Sequence, residues 1–187
     1  MNFLILHGTL GSPDGNWFPW LAGELEKLGH KTLRPQLPTP EGQTPENWIR
    51  VIGESAEKLG GNLVIVAHSR SPLAVCQYLQ TRTSPIKACF FVCGWRIRLP
   101  DTDATYSRLN NPFDDLGADW AKVRQNCPKF VCFASDNDPY VPLDHARDFA
   151  DKLGAELTII KGGGHLNAEF GFTHLPQLLD KIEQEVL

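Results

Sequence analysis

What this sequence lacks narrows the field first. It has no basic run: Lys and Arg total 18 against 22 Asp and Glu, a net charge of −4, which excludes the electrostatic footprint of a nucleic-acid binder. It has no long hydrophobic run either. The longest uncharged apolar stretch, residues 88–93, is far below the roughly 20 residues that span a bilayer. The N-terminus, Met1-Asn2-Phe3-Leu4-Ile5-Leu6, has neither a basic start nor a small-residue cleavage site, so it is not read as a secretion signal. No Cys-x-x-Cys pair occurs, the five cysteines are odd in number, and the six histidines show no metal-ligand spacing. A disulfide scaffold is excluded, no metal or organic cofactor is expected, and a reducing cytoplasm is the expected setting.

What is present suits a globular protein: 187 residues, 42% hydrophobic and 21% charged, enough to bury roughly 70% of the unfolded surface around one core. There is no internal repeat, low-complexity tract or linker, so residues 1–187 read as a single domain. Two periods alternate along it. Near-continuous apolar runs at 2–6, 31–34, 62–67, 87–93, 129–134 and 156–160 predict strands covered on both faces. Between them, apolar residues at three- and four-residue steps predict helices over 17–28, 45–59, 72–80, 143–153 and 175–187. Thr44 is an N-cap candidate for the second of these, and Gly60-Gly61 its stop. The pattern predicts an α/β class: a mostly parallel, doubly wound sheet of about six strands flanked by helices, with no large cap domain. Residues 94–117, rich in turn formers and charge, fit neither period and read as a short lid or a surface excursion.

Ligands of such sheets bind at the carboxyl ends of the strands. The first strand ends in His7-Gly8-Thr9-Leu10-Gly11-Ser12 and the third in Ala67-His68-Ser69-Arg70-Ser71-Pro72. The fifth ends in Ser135-Asp136-Asn137-Asp138-Pro139 and the sixth in Lys161-Gly162-Gly163-Gly164-His165. The third, fifth and sixth thus offer Ser, Asp and His, the chain order of the α/β-hydrolase triad. A strand that reverses straight into a helix lifts one side chain clear and sets the next N–H at a helix start, ready for an oxyanion. Ser69 stands at that apex, flanked by Ala67 and Ser71 where G-x-S-x-G has glycines. An N-cap serine for the helix at Pro72 is the rival role. Asp138, followed by Pro139 in a turn, is favoured over Asp136, which could instead brace the loop through backbone N–H groups. His165, after three glycines, is favoured over His174 at the entry of the last helix. Thr9 is the candidate second oxyanion donor, with Leu10 as the next choice. Leu10, Trp17 and Trp95 are candidate pocket walls, although tryptophans at such spacing also build cores.

Several segments carry a resemblance. Val66-Ala67-His68-Ser69, Asp138-Pro139-Tyr140-Val141-Pro142 and Gly163-Gly164-His165 resemble the small serine hydrolases of the retinoblastoma-binding-protein-nine and YdeN-like family. So do Asn16-Trp17-Phe18-Pro19-Trp20-Leu21, Pro38-Thr39-Pro40 and Gly171-Phe172-Thr173-His174-Leu175-Pro176. The resemblance implies a capless α/β hydrolase with Ser69, Asp138 and His165 as its triad and weak esterase-type activity on small acyl esters. Arg70 and Ser71 depart from the family's small residue and glycine. The departure predicts a fixed charge at the rim of the site, there to recognise an acidic substrate group, pair with a local carboxylate or block acyl binding, and a slightly widened turn. The expected partner is a small-molecule acyl ester or an acylated substrate. An interaction protein that keeps the fold and loses efficient chemistry is the alternative.

Overall fold

The middle strands of the sheet are apolar at nearly every position because both of their faces are covered. In the computed structural model, which describes residues 1–100 and 103–187, β3 (Leu63–His68), β4 (Ala88–Val92) and β5 (Phe130–Ser135) are buried throughout. With β1 (Asn2–Leu6), β2 (Lys31–Leu33) and β6 (Glu156–Ile160) they form one six-stranded parallel sheet in the order β2-β1-β3-β4-β5-β6. Only the outer strands β2 and β6 carry exposed residues, as edges do.

Side chains alternate across each strand, so each strand feeds two cores. Leu4, Leu6, Ile65, Cys89, Phe91 and Cys132 face the layer of α2 (Pro45–Leu59), α3 (Ser71–Leu79), α4 (Ala104–Leu116), α5 (Trp120–Asn126) and α6 (Leu143–Leu153). Phe3, Ile5, Val64, Val66, Phe90 and Phe133 face α1 (Phe18–Lys27) and α7 (Pro176–Val186). All five cysteines are free and buried, acting as small hydrophobes. The chain leaves β1 for one edge and returns from β2 to β3 on β1's other side, so the crevice between β1 and β3 is where the winding reverses.

Local signals set the helix ends. The Thr44 hydroxyl accepts the Asn47 N–H, Pro45 starts α2, and α2 stops at Gly60 with φ 77°. Gly154 ends α6 in the left-handed conformation. Residues 94–117, expected as a short lid or a surface excursion, are partly helical and partly in the core, and 101 and 102 among them lie outside the described residues. The stretch contains α4, capped by the Asp103 carboxylate on the N–H groups of Thr105 and Tyr106. Leu109 and Phe113, one turn apart, are buried, and Phe113 packs edge-on against Trp48 at 5.0 Å. Two asparagines, two aspartates and Pro112 mask the helix in the sequence, and packing overrides their poor propensity.

Phe91 stands at the centre of the α2–α6 core, stacked on Phe149 at 5.8 Å and tilted against Phe130. Phe91→Ala is expected to lower the unfolding free energy by about 3–5 kcal/mol in urea denaturation at neutral pH. Ile159→Ala, on the part-exposed edge strand β6, should lower it by less than about 1 kcal/mol.

Candidate active site

The turn between β3 and α3 forces one residue into a left-handed conformation, and that residue is Ser69, at φ 63°. A non-glycine residue resists this geometry by roughly 1–2 kcal/mol, so the surroundings must hold it. The Ser69 N–H donates to Val92 O at 2.9 Å. The buried Ser71 hydroxyl donates to His68 O at 2.9 Å and accepts the His68 N–H at 3.1 Å. Ser71 therefore staples the turn. The loop after β1 crosses so closely that a Cβ on Gly8 would lie 2.5 Å from Ser69 Cβ, which only glycine allows.

His165 Nε2 lies 3.0 Å from Ser69 Oγ, and His165 Nδ1 lies 2.7 Å from Asp138 Oδ2. The N–H at Nδ1 donates to the carboxylate, which leaves Nε2 free to accept from the serine. Asp138 Oδ1 accepts the N–H groups of Tyr140 and Val141 at 2.9 and 3.1 Å. Burial pushes this carboxyl up, but the hydrogen bond and charge of His165 and the two amides outweigh it and hold it below its ordinary value. Asp136 takes the bracing role, accepting the Gly162 N–H at 2.7 Å, while Asn137 Oδ1 accepts the Gly164 N–H at 2.8 Å. Gly164, at φ 55°, is crossed by the Phe170 ring, 2.2 Å from where a Cβ would stand, so no side chain fits beside it. His174 is exposed, edge-on to Trp20, and outside the cluster.

The imidazole of His165 is wedged between rings, His68 at 4.9 Å and Tyr140 at 5.1 Å, both edge-on. His68 Nε2 donates to His165 O at 3.0 Å. Burial, with help from neighbouring His165, pulls the His68 imidazole down to about 3, so it is neutral at physiological pH. His7 is also held neutral by burial, its Nδ1 donating to Gly8 O and its Nε2 accepting the Leu37 N–H. Cys93 faces the same carboxylate, and burial and Asp138 push its thiol well up. Cys93, Asp138 and His165 are the one group of metal-capable side chains among the described residues. The 2.7 Å between His165 Nδ1 and Asp138 Oδ2 is a hydrogen-bond distance, shorter than the roughly 3.3 Å between two ligands of one tetrahedral zinc.

A cavity of about 560 Å³ opens over Ser69, between the loop after β1 and α4, and Leu10, Trp95, Leu99, Pro100 and Tyr106 line it. Of the candidate pocket walls, Leu10 and Trp95 border this cavity. Trp17 does not: it is fully buried under α1, its Nε1 donating to Leu166 O at 2.9 Å, and it supports the His165 loop from below. Arg70 takes one of its expected roles, pairing with a carboxylate, but away from the rim. Its guanidinium leaves the rim and is wholly buried, bonded to Asp114 Oδ1 at 2.6 Å and Trp95 O at 2.8 Å beneath the Trp95 ring. Asp114 was invisible in the sequence because it stands 44 residues away in an unrecognised helix. The Leu10 N–H is taken by Thr39 Oγ1 at 2.8 Å, which leaves Thr9 as the candidate donor of that loop.

A parallel sheet with a serine at the β3 turn and a histidine and aspartate on the β6 and β5 loops defines an α/β hydrolase. The comparisons agree: the sequence profile of the serine hydrolases matches residues 3–184, and the chain belongs to that family. It is 27% identical over 180 residues to YdeN of Bacillus subtilis (strain 168), covering 95% of this chain and 92% of that one. It is likewise 27% identical over 157 residues to the serine hydrolase RBBP9 of Rattus norvegicus, covering 82% and 80%. The crystal structure of the B. subtilis ydeN gene product superposes with a TM-score of 0.89 over 98% of this chain and 97% of that one. A monoacylglycerol lipase from Paleococcus ferrophilus, 15% identical, shares the fold with a TM-score of 0.70, covering 99% and 93%. No helix among the described residues is long and apolar enough to cross a membrane.

The buried neutral His68 makes stability depend on pH. The unfolded chain protonates this residue near its ordinary 6.5 and the native chain only near 3, so stability falls as pH drops through that window and levels off below it. Asp138, depressed in the native state, adds a further loss as the pH falls below its ordinary value of 3.8. Urea unfolding at pH 5 should give a free energy lower than at pH 7 by about 2 kcal/mol on account of His68. His68→Phe should remove that part of the slope; an unchanged slope in the variant would refute the assignment.

Proposed function

We propose that this chain is a carboxylesterase-like serine hydrolase that cleaves small acyl esters through an acyl-enzyme on Ser69. The observation that carries the reading is the unbroken relay from Asp138 through His165 to Ser69, at 2.7 and 3.0 Å. Nε2 of His165 takes the Ser69 proton as Oγ attacks the ester carbonyl, and Asp138 stabilises the imidazolium that forms. The negative charge on the carbonyl oxygen rests on the Arg70 and Thr9 backbone N–H groups. Collapse of the tetrahedral intermediate breaks the bond to the alcohol, which leaves with the proton from His165. Water then enters, gives its proton to His165, and attacks the acyl carbon; the acid departs and Ser69 recovers its proton. Each transfer is served by a residue of the chain.

The cavity supports a small substrate. Its volume of about 560 Å³ falls within the range of small-molecule sites. Leu10, Leu99 and Pro100 offer apolar contact to an acyl chain, while the charge of Arg70, buried against Asp114, plays no part in recognition. An acylated thiol would pass through the same intermediate. The alternative of a chemically silent interaction protein rests on the Arg70-Ser71 elbow; the burial of Arg70 supports the hydrolase reading by taking its charge away from the cavity.

The test is labelling with a fluorophosphonate, read by intact mass. One adduct is expected on the wild type and none on Ser69→Ala, with nitrophenyl ester hydrolysis lowered about 10⁴-fold or more in the variant. A folded wild-type protein that takes up no probe would overturn the proposal.

A further inference from the structure

Helix α4 touches both loops that supply the proposed oxyanion donors, and it does so through two residues one turn apart. On one side the Thr9 hydroxyl donates to Asn110 Oδ1 at 2.5 Å, and Gln43 Nε2 donates to the same hydroxyl at 2.8 Å and to Leu109 O at 3.1 Å. On the other side the Arg70 guanidinium donates to Asp114 Oδ1 at 2.6 Å, with Arg70 wholly buried and the Asp114 side chain only 4% exposed. The helix itself is fastened down. Gln77 of α3 donates from Nε2 to Phe113 O at 2.7 Å and to Gly117 O at 3.1 Å, and Phe113 is in the core. A lid would sit loosely over the cavity, whereas α4 is anchored and grips what lies beside it.

The loop carrying Thr9 needs such a grip. Gly8 and Gly11 flank it, and among its bonds to neighbouring segments are those of the Thr9 hydroxyl to Asn110 and of the Leu10 N–H to the Thr39 hydroxyl. The two amides arise from the ends of different strands, β1 and β3, and an oxyanion needs both at once at hydrogen-bond distance. From this geometry we infer that α4 is a clamp that sets the spacing of the two amides, with Asn110 and Asp114 as positioning residues for the hydrolysis. The inference rests on the proposed function and adds two residues outside the triad, of which Asn110 also borders the cavity. A donor displaced by about 1 Å costs on the order of 10²-fold in rate, so releasing either arm should act on turnover more than on binding.

The experiment compares Thr9→Val, Asn110→Ala, their double variant and Asp114→Asn with the wild type on one nitrophenyl ester. Active sites are counted by fluorophosphonate adducts, which form with loss of fluoride, so that rates are expressed per competent site. Each single variant is expected to lower kcat per site by about 10- to 100-fold with KM within about threefold. Affinity for a trifluoromethyl ketone, whose adduct places an oxyanion in the same position, should fall by the same factor. Thr9→Val and Asn110→Ala cut the same bond, so the double variant should lose no more than either alone. That cycle carries the test if Asp114→Asn, which strands a buried guanidinium, fails to fold. Unchanged kcat per site in the folded variants, or a rise in KM alone, would overturn the clamp and leave the hydrolase reading intact. A wild type that neither labels nor turns over would overturn both.

Discussion

The geometry of the site depends on a single backbone conformation, the left-handed turn at Ser69. A strand entering a helix without a connecting loop leaves no other way to present a side chain, and the strain is held by bonds on every side. Val92 O fixes the residue's own N–H, the Ser71 hydroxyl closes the turn behind it, and the bare face of Gly8 lets the β1 loop pass in front. Strain of the same kind gathers nearby: Leu10, Asn16, Cys93 and Leu166 also have positive φ, all at or just beyond the carboxyl ends of strands or next to the His165 loop. Such conformations survive only where the surrounding structure over-determines them. Here the surroundings are two cores, one on each face of the sheet.

Electrostatically the site is arranged around one negative charge. Burial holds His7 and His68 neutral, and Asp138 keeps its charge through His165 and two amides. The fixed positive charge nearest the serine in sequence, Arg70, is turned away into its own pair with Asp114. The imidazole of His165 therefore faces a carboxylate on one side and a hydroxyl on the other, with no competing cation between them.

What the sequence reveals follows from where the information lies. Buried central strands are legible because both faces demand apolar residues, and Thr44 and Gly60 mark helix ends through bonds formed within a few residues. Ser69, Asp138 and His165 can be paired from sequence because a parallel sheet brings the carboxyl ends of its strands to one edge. The remainder depends on distance along the chain. Arg70 looked exposed because its partner lies 44 residues on, and Asn110 has no local signature because Thr9 is 101 residues away. Helix α4 hid behind Pro112 and a run of Asn and Asp, residues its packing tolerates but its propensity does not predict. Trp17 illustrates the opposite error, since aromatic spacing alone does not distinguish a cavity wall from the core beneath it.

The buried Arg70–Asp114 pair has a consequence for how this sequence can change over time. Either residue replaced alone leaves its partner charged and dry, at a penalty of about 3–5 kcal/mol, a large share of an ordinary domain's stability. Replacing both by apolar residues of similar volume is close to neutral. A small residue at position 70 is therefore separated from this pair by a valley that one substitution at a time does not readily cross. Arg70, the residue after the candidate nucleophile, is thus held in place by a helix distant in sequence.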